Sequence, residues 1–263
     1  MKPGYYKDIP NAAYHAGEGI SKSQLDMLAK APALLPWSKA APEDKEKMKA
    51  LDFGDAMHAV LLEPHRFENE YVVAPKFDRR SKAGKAEAEA WEAANANRVQ
   101  LTAEDGRKIA LMRESVMAHP DARRLLDAEG DVESSIYWEE GGVLCRCRPD
   151  KALPTHNFIV DVKTTADMAK FHFSARDYRY DVQDAYYSSG YRHHFGDHPT
   201  FIFLVVSTSI SCGKYPVELL ELSPEDKDNG IQLYRAELET YRQCLETNDW
   251  PGIRTLSLPK RFN

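Results

Sequence analysis

The spacing of apolar residues divides the chain into a helical first part and a strand-rich second part. Up to about residue 130, apolar positions recur three and four residues apart, as in a helix with one buried face. Ser21 and Gln24 form a capping box that starts the first of these helices, and Pro32 ends it. Helices are predicted over residues 22–31, 51–62, 86–98, 102–118 and 121–129.

Beyond residue 130 apolar and polar positions alternate, which predicts strands. Residues 133–139, 143–148 and 158–163 are expected to form a three-stranded meander. The elements predicted after it are a helix over 181–195, strands over 201–206 and 217–222, and a last helix capped by Ser223. The pattern as a whole predicts a mixed α/β fold with a central mixed sheet flanked by helices.

One predicted strand, residues 158–163, carries two charges in an otherwise apolar run. Asp161 and Lys163 stand two positions apart, so they point to the same face of the strand. Burying such a pair costs free energy unless a metal, a partner or a substrate phosphate compensates. A second acid, Asp150, follows Pro149 at the point where the preceding strand must end or bend.

Two carboxylates and a lysine on neighbouring strands suit a hard divalent cation such as Mg²⁺, which takes oxygen ligands and keeps several waters. A metal of this kind lowers the pKa of a bound water and neutralises phosphate charge. The competing interpretation is a surface ion pair between Asp161 and Lys163. The apolar strand around them favours phosphoester chemistry over that interpretation.

Two predicted helices carry polar residues that are unusual for a core. His58 lies among apolar residues with Gly54 one turn earlier, which indicates either a buried structural histidine or a ligand. The helix over 181–195 has a polar and aromatic stripe, which suggests that it faces a ligand. The residues of this stripe are Gln183, Tyr187, Gly190, Tyr191 and His194.

Composition and charge say more about the partners and location of the protein than about the reaction it performs. The net charge of −6 gives no reason to expect a nucleic-acid partner, although a basic stretch over residues 76–85 could contact phosphates or be a solvated loop. The spacing of the cysteines argues against an iron–sulfur or zinc cluster and favours buried thiols. No segment resembles a membrane span or a signal peptide, so a cytoplasmic location is expected.

We expect a single domain over residues 1–263, with a helical region to about 130, a sheet core over about 131–222 and a C-terminal helix over about 223–248.

The ordered set of Asp150, Asp161-x-Lys163 and Gln183-x-x-x-Tyr187 resembles the PD-(D/E)XK nuclease superfamily. His58 upstream matches the histidine of its RecB-like subset. The resemblance is strongest to RecE-type exonuclease VIII nuclease domains of prophages and phages, and covers about residues 10 to 250. The segments that carry it are residues 20–25, 53–64, 79–85 and 148–150.

The resemblance implies a role for each matching residue. The implied metal ligands are His58, Asp150, Asp161 and the Val162 carbonyl, with Glu133 as an additional acid found in some relatives. Lys163 is implied to assist the attacking water, and Gln183 and Tyr187 to position the scissile strand or support the site.

The resemblance also implies an activity and partners. It implies an exonuclease that uses Mg²⁺, with Mn²⁺ as a substitute, and that degrades the 5′ strand from double-stranded DNA ends to leave 3′ overhangs. A ring-shaped homo-oligomer (tetramer or trimer) and a single-strand annealing protein of the RecT type are the implied partners. In a ring, basic side chains could face the channel while the outside stays acidic. These side chains are Arg79, Arg80, Lys82, Lys85, Arg146 and Arg148.

Three alternatives stay open from the sequence. One is a structure-specific or restriction-type endonuclease of the same superfamily, which would cut closed circular DNA. The second is a non-catalytic DNA-end-binding module of recombination, which has no need of Asp150, Asp161 and Lys163. The third is an iron–sulfur nuclease, which would be brown and would group its cysteines more closely.

Overall fold

The computed structural model of the protein describes residues 1–42 and 53–256. Its helices are α1 (Asn11–Ala16), α2 (Lys22–Lys30), α3 (Leu34–Ala40), α4 (Phe53–Leu62), α5 (Pro64–Glu70), α6 (Lys82–Ala94), α7 (Ala103–Ala118), α8 (Pro120–Asp127), α9 (Phe171–Asp177), α10 (Tyr180–Phe195) and α11 (Pro224–Thr247). Its strands are β1 (Gly4–Tyr6), β2 (Tyr71–Val73), β3 (Val99–Leu101), β4 (Asp131–Val132), β5 (Ser135–Glu140), β6 (Val143–Cys147), β7 (Lys151–Leu153), β8 (Phe158–Thr165), β9 (Thr200–Ser207) and β10 (Val217–Leu220).

The centre of the fold is a five-stranded mixed sheet in the order β10-β9-β8-β7-β4. Strands β8 and β9 are parallel, because α9 and α10 connect them as a crossover, and the other pairs are antiparallel. One face packs on α2, α10 and α11 around Ile159 and Phe203, and the other packs on α4 and α7 around Val160 and Leu204. The predicted mixed α/β class with a flanked central sheet is confirmed.

The predicted three-stranded meander is wrong. Strand β6 pairs with β5 in a separate sheet of order β1-β5-β6, and the neighbour of β8 is β7. The register of β5 with β6 nevertheless continues unchanged into β4 with β7, so the two pairs are one long hairpin that bends between the sheets. At the bend Pro149 cannot donate a ladder hydrogen bond, and Glu133 adopts a left-handed φ of 53°.

Local signals placed most helices correctly. Ser21 caps α2 through the predicted capping box with Gln24, and Ser223 caps α11. The predicted helix over 51–62 is observed from Phe53 to Leu62, and residues 51 and 52 lie outside the described part of the chain.

The basic stretch over residues 76–85 is only partly a loop. Ser81 caps α6, so Lys82 and Lys85 lie in the first turn of a helix. Gly84 marks a close approach, because a Cβ there would come 2.2 Å from the carbonyl oxygen of Asp78.

Three cysteines, Cys145, Cys147 and Cys244, are buried, and all four are free thiols. Cys212 is exposed, so the expectation of buried thiols is wrong at that position. In the described residues, no helix combines the length and the apolar character that crossing a bilayer requires.

Candidate active site

The bend of the long hairpin sets two carboxylates against a histidine from α4. Glu133 and Asp150 face each other across the hairpin, joined by a hydrogen bond from the Glu133 N–H to the Asp150 carbonyl (3.1 Å). His58 Nε2 lies 2.9 Å from Glu133 Oε1 and 3.3 Å from Asp150 Oδ1. Within the described residues, this triad is the one group of histidine and acids whose ligand atoms all lie within 4.8 Å of one another.

Interactions within the triad shift the pKa values of His58 and Asp150. Burial opposes the charged imidazolium of His58, but its hydrogen bonds to Asp150 and Glu133 outweigh burial and raise its pKa to about 10. Burial would raise the pKa of Asp150, yet His58, the charge of Lys163 and the Val162 N–H lower it. The imidazolium therefore supplies positive charge at the place where a divalent cation would supply it.

Asp150 also occupies the edge of β8. Strand β7 begins at Lys151, opposite Val160, and so does not reach Val162. Asp150 Oδ2 accepts the Val162 N–H there at 2.7 Å. Because the N–H and C=O of one strand residue point to the same side, the Val162 carbonyl faces this edge too. Its proposed role as a ligand is compatible with that geometry.

A second cluster lies within β8 itself. Asp161 is 1% exposed, forms an ion pair with Lys163 and accepts a hydrogen bond of 2.5 Å from Gln183 Nε2 on α10. Burial and the charge of Asp150 raise the pKa of Asp161 to about 6, against the pull of Lys163. Burial opposes the charge of Lys163, but Asp161 and Asp150 raise its pKa above the ordinary value. The interpretation as a surface ion pair does not fit this burial.

The polar stripe of α10 serves the site only at its first turn. Gln183 reaches Asp161, whereas Tyr187 packs edge-on against Phe201. Gly190 lies under Trp138, where a Cβ would come within 2.7 Å of the ring. Tyr191 is buried against Phe195, and His194 stacks on Tyr5. The expectation that the whole stripe faces a ligand is therefore wrong, because most of it packs in the core.

Arg146 and Arg148 do not face solvent as channel residues would. Arg146 is 2% exposed, and its guanidinium donates to backbone carbonyls between Tyr14 and Glu18. Arg148 is 8% exposed and donates to Ser135 Oγ and to the Ile9 carbonyl (2.8 Å). These partners give both arginines a structural task. Arg146 does not line the cavity described below, which corrects the expectation that it faces an open channel, whereas Arg148 forms part of the cavity wall.

The basic residues between 79 and 85 lie on the surface. Arg79 forms an exposed ion pair with Glu92 at 2.7 Å, and Arg80, Lys82 and Lys85 are exposed. None of the four lines the cavity described next. The structure does not bring them together with Asp150.

A cavity of about 890 Å³ opens beside the triad. Its wall includes His58, Glu133, Asp150, Val162 and Lys163, so the triad and the ammonium of Lys163 share one space. An imidazole and two carboxylates around an open space fit a divalent cation that keeps water ligands.

The cavity also contains residues that sequence reasoning missed. Arg66 on α5 bridges Glu63 (2.9 Å), Glu70 (2.9 Å) and Asp55 (3.1 Å), and all four line the cavity. Asp55 stands one turn before His58, so helical spacing could have identified it.

Other parts of the lining left no signal in the sequence. The ring of Tyr180 lies 4.9 Å from Lys163 Nζ. The N-terminal segment, residues 7–15, supplies a further wall whose neighbours are set only by long-range contacts.

A family described as a PDDEXK-like domain of unknown function (DUF3799) matches residues 21–254. The chain belongs to this family. Its PD-(D/E)XK-type fold agrees with the structure and with the resemblance seen in the sequence, and the family and fold support a nuclease.

One solved structure agrees on the fold. A protein of Eubacterium rectale described as "Putative exonuclease" has a TM-score of 0.64 and 12% identity, over 97% of this chain and 96% of the other. A phage related exonuclease from Haemophilus somnus 129PT has a TM-score of 0.31 and 13% identity, over 89% of this chain and 99% of the other. No curated protein matches this chain by sequence.

Proposed function

We propose that the protein is a Mg²⁺-dependent exodeoxyribonuclease that degrades the 5′ strand of linear double-stranded DNA and leaves 3′ overhangs for recombination. The observation that carries the hydrolytic part is the shared cavity of the His58–Glu133–Asp150 triad and Lys163 in a PDDEXK-like chain. The exonuclease polarity rests on the resemblance to RecE-type domains.

In this proposal His58, Glu133 and Asp150 hold the cation, with the Val162 carbonyl as a further ligand. Mg²⁺ is the expected ion because most of these donors are oxygens, and Mn²⁺ should substitute because it accepts the imidazole readily. When bound, the metal polarises the phosphate and lowers the pKa of the attacking water.

Asp161 has two tasks in the same proposal. Held by Gln183, it fixes Lys163 at the cavity wall, and its second oxygen would add a further carboxylate ligand for the cation. The raised pKa of Lys163 keeps it protonated. We therefore assign Lys163 the orientation of water and the neutralisation of phosphate charge rather than removal of a proton. Tyr187 supports α10 from its contact with Phe201.

The biological setting is proposed from the resemblance alone. It comprises DNA ends as substrate, a ring-shaped homo-oligomer, a RecT-type annealing protein as partner and a cytoplasmic location. Light scattering on the purified protein measures the subunit number, and a monomer at all concentrations would contradict the ring.

The decisive experiment uses linear duplex labelled at its 5′ or its 3′ end, with Mg²⁺ or EDTA. Wild type should release nucleotides from 5′ ends only with Mg²⁺, and Asp161→Ala and Lys163→Ala should abolish the release. The control is the double variant Asp167→Ala/Lys170→Ala, which removes an exposed ion pair just beyond the same strand. Activity that survives Asp161→Ala would overturn the proposal.

Closed circular DNA separates the endonuclease alternative. An exonuclease needs an end, so circular duplex should stay intact while the same plasmid, linearised, is degraded. Cutting of the circle would favour the endonuclease. Tight binding of ends without Mg²⁺-dependent product in any condition would favour the non-catalytic end-binding module.

A further inference from the structure

The N-terminal segment, residues 7–15, forms a wall of the cavity that carries the triad. The side chains and backbone that line it belong to Lys7, Asp8, Ile9, Pro10, Asn11 and His15. Asn11 and His15 are exposed, and the side chain of Lys7 is 60% exposed although it pairs with Asp131 at 2.6 Å. The segment therefore presents donors to the same space that Lys163 and Asp150 share.

Two buried arginines hold this segment in place. Arg148 donates to the Ile9 carbonyl at 2.8 Å, and Arg146 donates to the carbonyls of Gly17 (2.6 Å) and His15 (3.2 Å). The ring of Tyr14 lies 4.1 Å from the Arg148 guanidinium and 4.9 Å from that of Arg146. Burying two guanidiniums costs free energy unless they are paired. Here their hydrogen-bond partners are mainly backbone carbonyls of the N-terminal segment that lines the cavity.

The charges around the cavity are uneven. Where the first turn of α4 and helix α5 line it, the three acids Asp55, Glu63 and Glu70 surround Arg66. The N-terminal wall has one acid, Asp8, next to Lys7, and Asn11 and His15 add N–H donors. A polyanion is repelled less by this wall than by the acidic surface of α4 and α5, and the ammonium and N–H groups can bind phosphate. Burial, Arg146 and Arg148 lower the pKa of His15, so at neutral pH its ring offers a neutral N–H rather than a charge.

We propose that residues 7–15 are the wall that holds the phosphate backbone of the substrate strand, with Lys7 and His15 as direct contacts and Arg146 and Arg148 as positioning residues. This inference rests on the proposed nuclease function and deepens it. The strand enters along the N-terminal segment and leaves the acidic surface of α4 and α5 to water.

The first test compares two double variants of equal charge. Lys7→Ala/His15→Ala should raise KM for linear duplex about tenfold, the loss expected for a charge-assisted hydrogen bond, and leave kcat within about twofold. The slope of log affinity against log salt should fall by about one, because one cation is lost. The control, Lys2→Ala/His65→Ala, removes a lysine and a histidine that do not line the cavity, and it should behave as wild type.

The second test loosens the segment without touching the cavity. Arg146→Lys keeps the charge but cannot bridge several carbonyls at once. Amide hydrogen exchange should quicken in residues 7–18, and KM should rise while kcat stays near the wild-type value. A merely structural role would lower the fraction of active protein and leave KM unchanged.

The outcomes separate this inference from the proposed function. If Lys7→Ala/His15→Ala cleaves DNA as wild type does, with unchanged KM and salt slope, residues 7–15 do not hold the substrate strand. The proposed nuclease function is not affected by that result. A wild type that neither cleaves duplex with Mg²⁺ nor binds it in EDTA overturns the proposed function, and this inference falls with it. A rise in KM confined to the cavity variants and Arg146→Lys supports the inference.

Discussion

The two acidic clusters of the site differ in how their charge is balanced. The triad of His58, Glu133 and Asp150 lies at a bend of the backbone and opens onto the cavity, and its cation is a histidine that can lose its proton. Asp161 is enclosed within β8, and its cation is a lysine that stays charged. The first cluster is therefore built to exchange its positive charge and the second to keep it.

The largest expected effect is on stability at the enclosed cluster, which is Asp161 with Lys163; the triad of His58, Glu133 and Asp150 is the open cluster. Asp161→Ala leaves Lys163, whose side chain is only 19% exposed, without its carboxylate, so the free energy of unfolding should fall by about 3–5 kcal/mol. Glu133→Ala, at the open cluster, should cost about 0–1 kcal/mol, because the Glu133 side chain is 27% exposed. Urea unfolding of the metal-free proteins measures both. Equal losses would erase the distinction between the clusters.

Metal should act on the open cluster. Mg²⁺ or Mn²⁺ at about 100 times its dissociation constant should stabilise wild type by about 2.7 kcal/mol, because it binds the folded chain only. Asp150→Ala should abolish this gain, and thermal unfolding with and without metal measures it. Binding should weaken as pH falls, because His58 must lose its proton to become a ligand. The control is Asp121→Ala, an exposed acid on α8.

An effect on the same cluster is expected from pH alone in the metal-free protein. The pKa of His58 is raised to about 10, so its ion pairs stabilise the fold fully below about pH 6.5, its unfolded value, and are lost as pH rises to about 10. His58→Gln should remove this alkaline part of the pH dependence. Unfolding free energies at pH 6 and pH 9 test it, and an unchanged difference in the variant would assign the dependence to another group.

The smallest effect concerns a region outside both clusters. Arg79→Ala removes an exposed ion pair with Glu92 and should change stability by about 0–1 kcal/mol. If Arg79 contacts DNA phosphate in the assembled protein, the salt slope of binding should fall by about one. An unchanged slope would remove this surface from the DNA path.

Local sequence signals determined a large part of the molecule. The N-caps Ser21 and Ser223 act within one helical turn, so the sequence shows where α2 and α11 begin. The β-branched run of β8 showed that Asp161 and Lys163 share a strand face, and the ion pair between them follows from that spacing. Gln183 belongs to the polar stripe predicted on the helix over 181–195, and the resemblance assigns it to the site.

Tertiary structure decided the rest, because register and burial depend on distant residues. Glu133 became a partner of Asp150 only when the long hairpin bent at Pro149, which separated β6 from β8. The sequence shows that Arg146 is a cation, but only the fold shows that its partners are carbonyls more than 120 residues away. An arginine that meets carbonyls inside the protein and one that meets phosphate outside carry the same side chain, and packing alone distinguishes them.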